Sequence, residues 1–186
     1  MSISLKLELV KPIPVTALLS EISGALRTIL GLVFDPVISA EVVSTPGAMP
    51  AQSFQIKLGA EDVKIKIAGE PEAVTVYPFT VPVSSYAVPP YTEPITLESI
   101  RDKLLVGLFS ETCRTPLELA LVASIAVSFS KYLESEIVDP IPFYTEGLYH
   151  TADGFLNTIK VDRQFDSYRL AAQRFYDRLP KARGQS

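Results

Sequence analysis

Glu136, Asp139, Glu146, His150 and Asp153 place four carboxylates and the only histidine of the chain within one short, loop-rich stretch. Carboxylates and an imidazole can hold a divalent cation, or divide acid and base roles where burial drives their pKa values apart. The spacing matches no metal signature, because zinc and iron motifs recruit at least two histidines or cysteines at fixed offsets and this chain has one of each. The plainer expectation is a set of solvated loop acids with a histidine at a strand end. These five residues are therefore kept as alternative metal ligands, and no metal or other cofactor is expected.

Cys113 is the other residue type with reactive chemistry. It sits in Thr112-Cys113-Arg114-Thr115, where a cationic neighbour and the start of a following helix would favour the thiolate. A nucleophile needs a base, and His150 is the one imidazole available. A lone cysteine between helices more often serves as a small buried hydrophobe. Cys113, Asp139 and His150 are thus the alternative catalytic candidates. Phosphate loops, dinucleotide fingerprints and a Gly-x-Ser-x-Gly elbow are all absent from the sequence.

A different kind of signal lies between Tyr77 and Tyr91. Tyr77, Phe79, Tyr86 and Tyr91 are interleaved with Pro78, Pro82, Pro89, Pro90 and Pro94. A stiff, proline-rich connection over 78–95 presents aromatic side chains that have little entropy left to lose on docking. Tyrosine is favoured at binding surfaces because it offers area with a polar tip. These four aromatics are the expected binding residues. The alternative is a connection strapped across the protein's own surface.

The elements that must position these groups follow from periodicity. Phe54–Leu58, Val63–Ile67 and Val74–Tyr77 alternate apolar with polar residues, the pattern of an antiparallel sheet covered on one face. Short turns between them predict a meander. Leu5, Leu7 and Leu9 give a first strand, and Val37–Val43 gives another. From Val15 to Val33 the apolar residues recur at the helical period, and Gly31 is a stop for that helix. Leu97, Ile100, Leu104, Leu105 and Leu108 predict a helix from Thr96 to Thr112. Thr115-Pro116-Leu117-Glu118 is a capping-box start for a helix to Glu134 that is apolar nearly all round, as a helix covered on several sides is. Beyond it a strand is expected at Ile137–Val138, a hairpin turning at Asp153-Gly154 between 148–151 and 155–161, and a closing helix from Arg163 to Leu179. Residues 180–186 are expected to fray.

Composition bounds the rest. A chain of 186 residues with 47% hydrophobic and 20% charged content is neither disordered nor long enough for two ordinary domains, so one domain over 1–186 is expected. The apolar run Leu119–Ser130 falls short of the roughly 20 residues that span a bilayer and reads as a buried helix, so no membrane insertion is expected. One cysteine and no secretion signal imply a reducing cytoplasm. The net charge is −4, and residues 160–183 hold seven basic against three acidic side chains, leaving the remainder at −8. Such an acidic body does not fit phosphate neutralisation, and nucleic acid is not the expected partner.

The passage of a buried helix into Ile137-Val138-Asp139-Pro140 resembles small bacterial α+β proteins, some toxin-immunity proteins among them, over a small part of the chain. The resulting expectation is an α+β fold in two layers, a mainly antiparallel sheet of four to six strands with helices on one face. Its function is expected to be non-catalytic binding of another protein, one of basic character, in an inhibitor or immunity-like role. The alternatives are a metal-dependent or acid/base enzyme centred on 136–153, and a subunit that completes a homo-oligomer.

Overall fold

The computed structural model describes residues 4–44, 55–57, 59–81, 103–110, 115–139 and 143–180. The elements in chain order are β1 (Ser4–Glu8), β2 (Ile13–Pro14), α1 (Leu19–Leu30), entered through a 3-10 turn at Thr16–Leu18, β3 (Ile38–Val42), β4 (Gln55–Ile56), β5 (Val63–Ile67), β6 (Ala73–Val81), β7 (Lys103–Ser110), α2 (Pro116–Leu133), β8 (Ile137–Val138), β9 (Tyr149–His150), α3 (Ala152–Ile159) and α4 (Tyr168–Arg178). Seven strands form one antiparallel sheet in the order β3-β5-β6-β7-β1-β8-β9, and β2 pairs separately with β4. The molecule is an α+β protein with its helices packed against the sheet.

The alternating strands do what their period dictates. Leu5 and Leu7 of β1, Val63, Ile65 and Ile67 of β5, and Val74 and Val76 of β6 are buried beneath the helices. Lys6, Lys64, Lys66, Thr75 and Tyr77 alternate with them and belong to the outer face. The β5–β6 pairing is the expected hairpin, whereas β4 leaves the meander and sets Ile56 beside Ile13 in the small ladder, both side chains fully buried.

Several elements differ from the sequence reading. Residues 103–110, expected in a helix, form β7 at the centre of the sheet between β6 and β1, which brings the strand count to seven rather than four to six. Leu105, Val106, Gly107 and Leu108 are all buried, so both faces are covered and the alternation that marks a half-exposed strand is lost. Strand β6 also runs on through Pro78 to Val81 into the stretch expected to be irregular. Proline is accommodated because β5 pairs only with residues up to Val76, so β6 has just one pairing neighbour at Pro78. Finally, no hairpin turns at Asp153-Gly154. The Thr151 hydroxyl accepts the Gly154 amide at 3.2 Å and caps α3, whose Phe155 and Ile159 point into the core.

Helix α2 shows its capping directly, with Thr115 Oγ1 accepting the Glu118 amide at 3.2 Å. It lies against β1, β6 and β7 on one side and α1, α3 and α4 on others. That sandwiching explains its apolar circumference. By length and composition α2 is apolar enough to cross a membrane, yet 83% of it is buried within the protein. Gly31 ends α1 with φ +61°, and a Cβ there would collide with the Arg163 carbonyl oxygen. The reason is that the 161–165 segment lies alongside this helix end, exchanging backbone bonds with Ile29, Gly31 and Val33. That segment is non-helical where a helix from Arg163 was expected, and α4 starts five residues later.

Candidate functional site

The chemistry-bearing stretch 136–153 separates into one buried acid and three exposed ones. Glu136, Glu146 and Asp153 are exposed, and Asp153 makes a 3.0 Å ion pair with Lys131. Asp139 is buried, only 1% exposed. Its Oδ2 accepts the amides of Phe143 and Tyr144 at 2.8 and 2.9 Å, while Oδ1 is buried with no hydrogen-bond partner. Burial raises the Asp139 pKa above the ordinary carboxylate range, against the opposing pull of those amides and of the His150 charge. Among the described residues, no three histidine, cysteine, aspartate or glutamate side chains gather as a metal group. The four acids and the imidazole that sequence places together are therefore not brought into one coordination sphere.

His150 stands on β9 opposite Ile137, two register positions from the Asp139 end of the hairpin. Its Nε2 lies 2.9 Å from the Gly147 carbonyl oxygen and 2.6 Å from Thr145 Oγ1. A carbonyl can only accept, so Nε2 carries the hydrogen and cannot take a proton from Thr145 in this state. The Thr145 hydroxyl also meets the Gly147 backbone at 3.3 Å. Threonine, histidine and aspartate are thus neighbours without forming a nucleophile–base–acid relay, since Asp139 makes no hydrogen bond to the ring and the base nitrogen is already a donor. Gly147 packs closely on the ring: a Cβ there would lie 2.8 Å from His150 Cε1, so the imidazole would have to shift. Thr145 and Gly147 went unnoticed in the sequence, where nothing but their nearness to His150 marks them.

Behind this loop, Tyr144 is fully buried and its hydroxyl donates to the Leu119 carbonyl at 3.1 Å. Burial, aided by the charges of Asp139 and Glu118, pushes this phenol well above its usual pKa. Tyr144 stacks near Phe143, Phe155 and Phe175, tying the loop to α2, α3 and α4. The loop is held as a structural unit.

Of the four expected binding residues, Tyr77 and Phe79 are adjacent on the outer face of β6, half-buried, with ring centroids 5.5 Å apart. The ammonium of Lys6 lies 5.9 Å from the Phe79 centroid. Register places Lys6 and Tyr77 either side of Gly107, and Glu8 and Phe79 either side of Leu105. Partial burial, and after it the charge of Asp62, raises the Tyr77 phenol. Tyr86, Tyr91 and Cys113 lie outside the described residues, as do 82–95 of the proline-rich connection and 181–186 of the tail.

Comparison with protein-family models, with curated proteins and with solved structures returns no match for this chain.

Proposed function

We propose that this protein is a non-catalytic cytoplasmic binding domain whose outer sheet face docks a basic protein, in the manner of an inhibitor or immunity protein. The observation that carries the reading is the Tyr77–Phe79 pair, two aromatic rings side by side on the strand face turned away from the helices. Such rings supply large contact area at small entropic cost. Acidic groups border them, with Glu8 across Leu105 from Phe79 and Asp62 close enough to raise the Tyr77 phenol. A chain of net charge −4 favours a basic partner over an acidic one. Within 136–153, by contrast, Asp139 and His150 are engaged with the loop's own backbone.

The test is affinity capture from native lysate with the intact chain and with a Tyr77→Ala/Phe79→Ala variant whose folding is verified by circular dichroism. A basic protein, identified by mass spectrometry, should be retained by the first and lost by the second, and its binding should weaken as salt is raised. Equal retention by both chains removes this face from the mechanism.

A further inference from the structure

A second carboxylate is buried in an arrangement unlike that of Asp139. Glu72, in the turn between β5 and β6, is 8% exposed. Its Oε1 accepts the Thr115 hydroxyl at 3.0 Å, and its Oε2 is buried with no hydrogen-bond partner. The residue lines a cavity of about 370 Å³ in which three distant parts of the chain meet: the Glu70–Glu72 turn, the start of α2 at Thr115, and the start of α4 at Ser167, Tyr168 and Arg169. That volume is within the range of small-molecule sites.

The charges on its wall are of both signs and do not satisfy one another. Among the described residues, neither the half-buried Glu70 nor the exposed Arg169 makes an ion pair or a side-chain hydrogen bond. Helix α4, eleven residues long, begins at Ser167 without a side-chain cap. Its first-turn amides therefore keep the partial positive charge of a helix start and have no side-chain acceptor. Glu70 faces Tyr168 closely enough for its charge to raise that phenol, second to the effect of burial. One wall thus carries two carboxylates, Glu70 and Glu72, with the unmatched Glu72 oxygen lying beneath the surface. The other offers a guanidinium and uncapped amides.

An unmatched buried carboxylate oxygen is an expensive feature that a donor group would relieve. The terminal Glu torsion is soft, so a turn of the carboxylate can present an oxygen to an incoming ammonium, with the Thr115 hydroxyl rotating to follow it. A simple cation would leave Arg169 facing like charge, and a simple anion would face Glu70 and Glu72. A molecule carrying an ammonium and a carboxylate a few bonds apart meets both walls.

We propose that this cavity is a binding site for a small zwitterion of the α-amino-acid class, its ammonium held by Glu72 and Glu70 and its carboxylate by Arg169 and the first turn of α4. The site is separate from the aromatic face and does not depend on the protein-binding reading.

The twenty free L-amino acids, screened by thermal shift against the full chain and followed by titration calorimetry, provide the test. At least one should bind below about 10 mM, a weak-ligand affinity. Its N-acetyl and its carboxamide derivatives, each lacking one charge, should bind at least about tenfold more weakly. Glu70→Gln and Arg169→Gln, at less buried positions that leave the core intact, should each weaken binding by a similar factor. Glu72→Gln should do so most strongly. Absence of binding across all twenty, equal affinity for a blocked derivative, or unchanged affinity in the Glu70 and Arg169 variants would each overturn the proposal.

Discussion

Asp139 and Glu72 are both buried carboxylates with one oxygen unmatched, yet their surroundings make them different objects. Asp139 gives its second oxygen to two amides of its own loop, Phe143 and Tyr144, and so fixes the path of backbone that follows β8. Glu72 gives its second oxygen to one hydroxyl, that of Thr115, which already accepts the Glu118 amide and caps α2 without help. The first carboxylate holds the chain together. The second adds little to the fold and lines a cavity between two helix starts. A buried acid is therefore informative only once the groups that would be stranded without it are known.

The comparison is most easily broken by truncation, which should give the largest effect. Asp139→Ala leaves two buried amides without an acceptor, and at about 1–3 kcal/mol for each stranded group the loss of stability should be about 3 kcal/mol. Glu72→Ala strands only the Thr115 hydroxyl, which can turn to another acceptor, and removes an unmatched oxygen as well. Its effect should stay within about 1 kcal/mol. Urea denaturation of both variants measures the difference. Equal losses would show that Glu72 is as structural as Asp139.

Acid titration sharpens the contrast by a smaller margin. The folded-state pKa of Asp139 is raised, chiefly by burial, so the folded protein holds this proton more tightly than the unfolded chain does. Stability from this group must then increase as pH falls through the raised folded pKa, be complete below the ordinary carboxylate value near about 3.9, and be lost as pH rises again. Asp139→Asn removes the titration. The stability of the parent chain relative to that variant should accordingly grow on acidification from neutral pH, as read by denaturant midpoints at matched pH. A relative loss on acidification would mean that the amide bonds, and not burial, dominate the site.

How legible these features were in the sequence depended on how local their causes are. The strands β1, β3 and β5, the α1 stop at Gly31 and the Thr115 cap of α2 rest on periodicity or on contacts within a turn, and they could be read directly. Strand β7 could not, because Leu105, Val106, Gly107 and Leu108 are buried on both faces and a two-sided strand carries no alternation. Its leucines imitate one face of a helix. The 151–159 stretch was obscured by Asp153-Gly154, a turn-forming pair that here occupies the first turn of α3 because the Thr151 hydroxyl caps it. The weight given to the four acids near His150 rested on closeness in sequence, whereas only Asp139 turns inward. Glu72 looked like any solvated turn glutamate. What buries it is the approach of α2 and α4, which begin 44 and 96 positions further along the chain.

The smallest effect concerns the imidazole itself, and it tests whether the loop held by Asp139 is as closed to chemistry as its hydrogen bonds imply. Because His150 is the only histidine, its ring nitrogens give unambiguous long-range ¹⁵N–¹H correlations. The Gly147 carbonyl, 2.9 Å from Nε2, requires the neutral ring to carry its hydrogen on Nε2, with Nδ1 as the bare nitrogen. Gly147→Ala should disturb this arrangement while leaving the fold in place, since the new methyl group would press on Cε1 at the mobile end of a half-buried side chain. A change in the tautomer ratio with a stability loss of about 1 kcal/mol or less is expected. If the parent chain instead shows a bare Nε2, the Thr145 hydroxyl at 2.6 Å becomes its donor. The loop would then contain a base poised on a hydroxyl, and the division between a structural acid and a ligand-facing one would have to be redrawn.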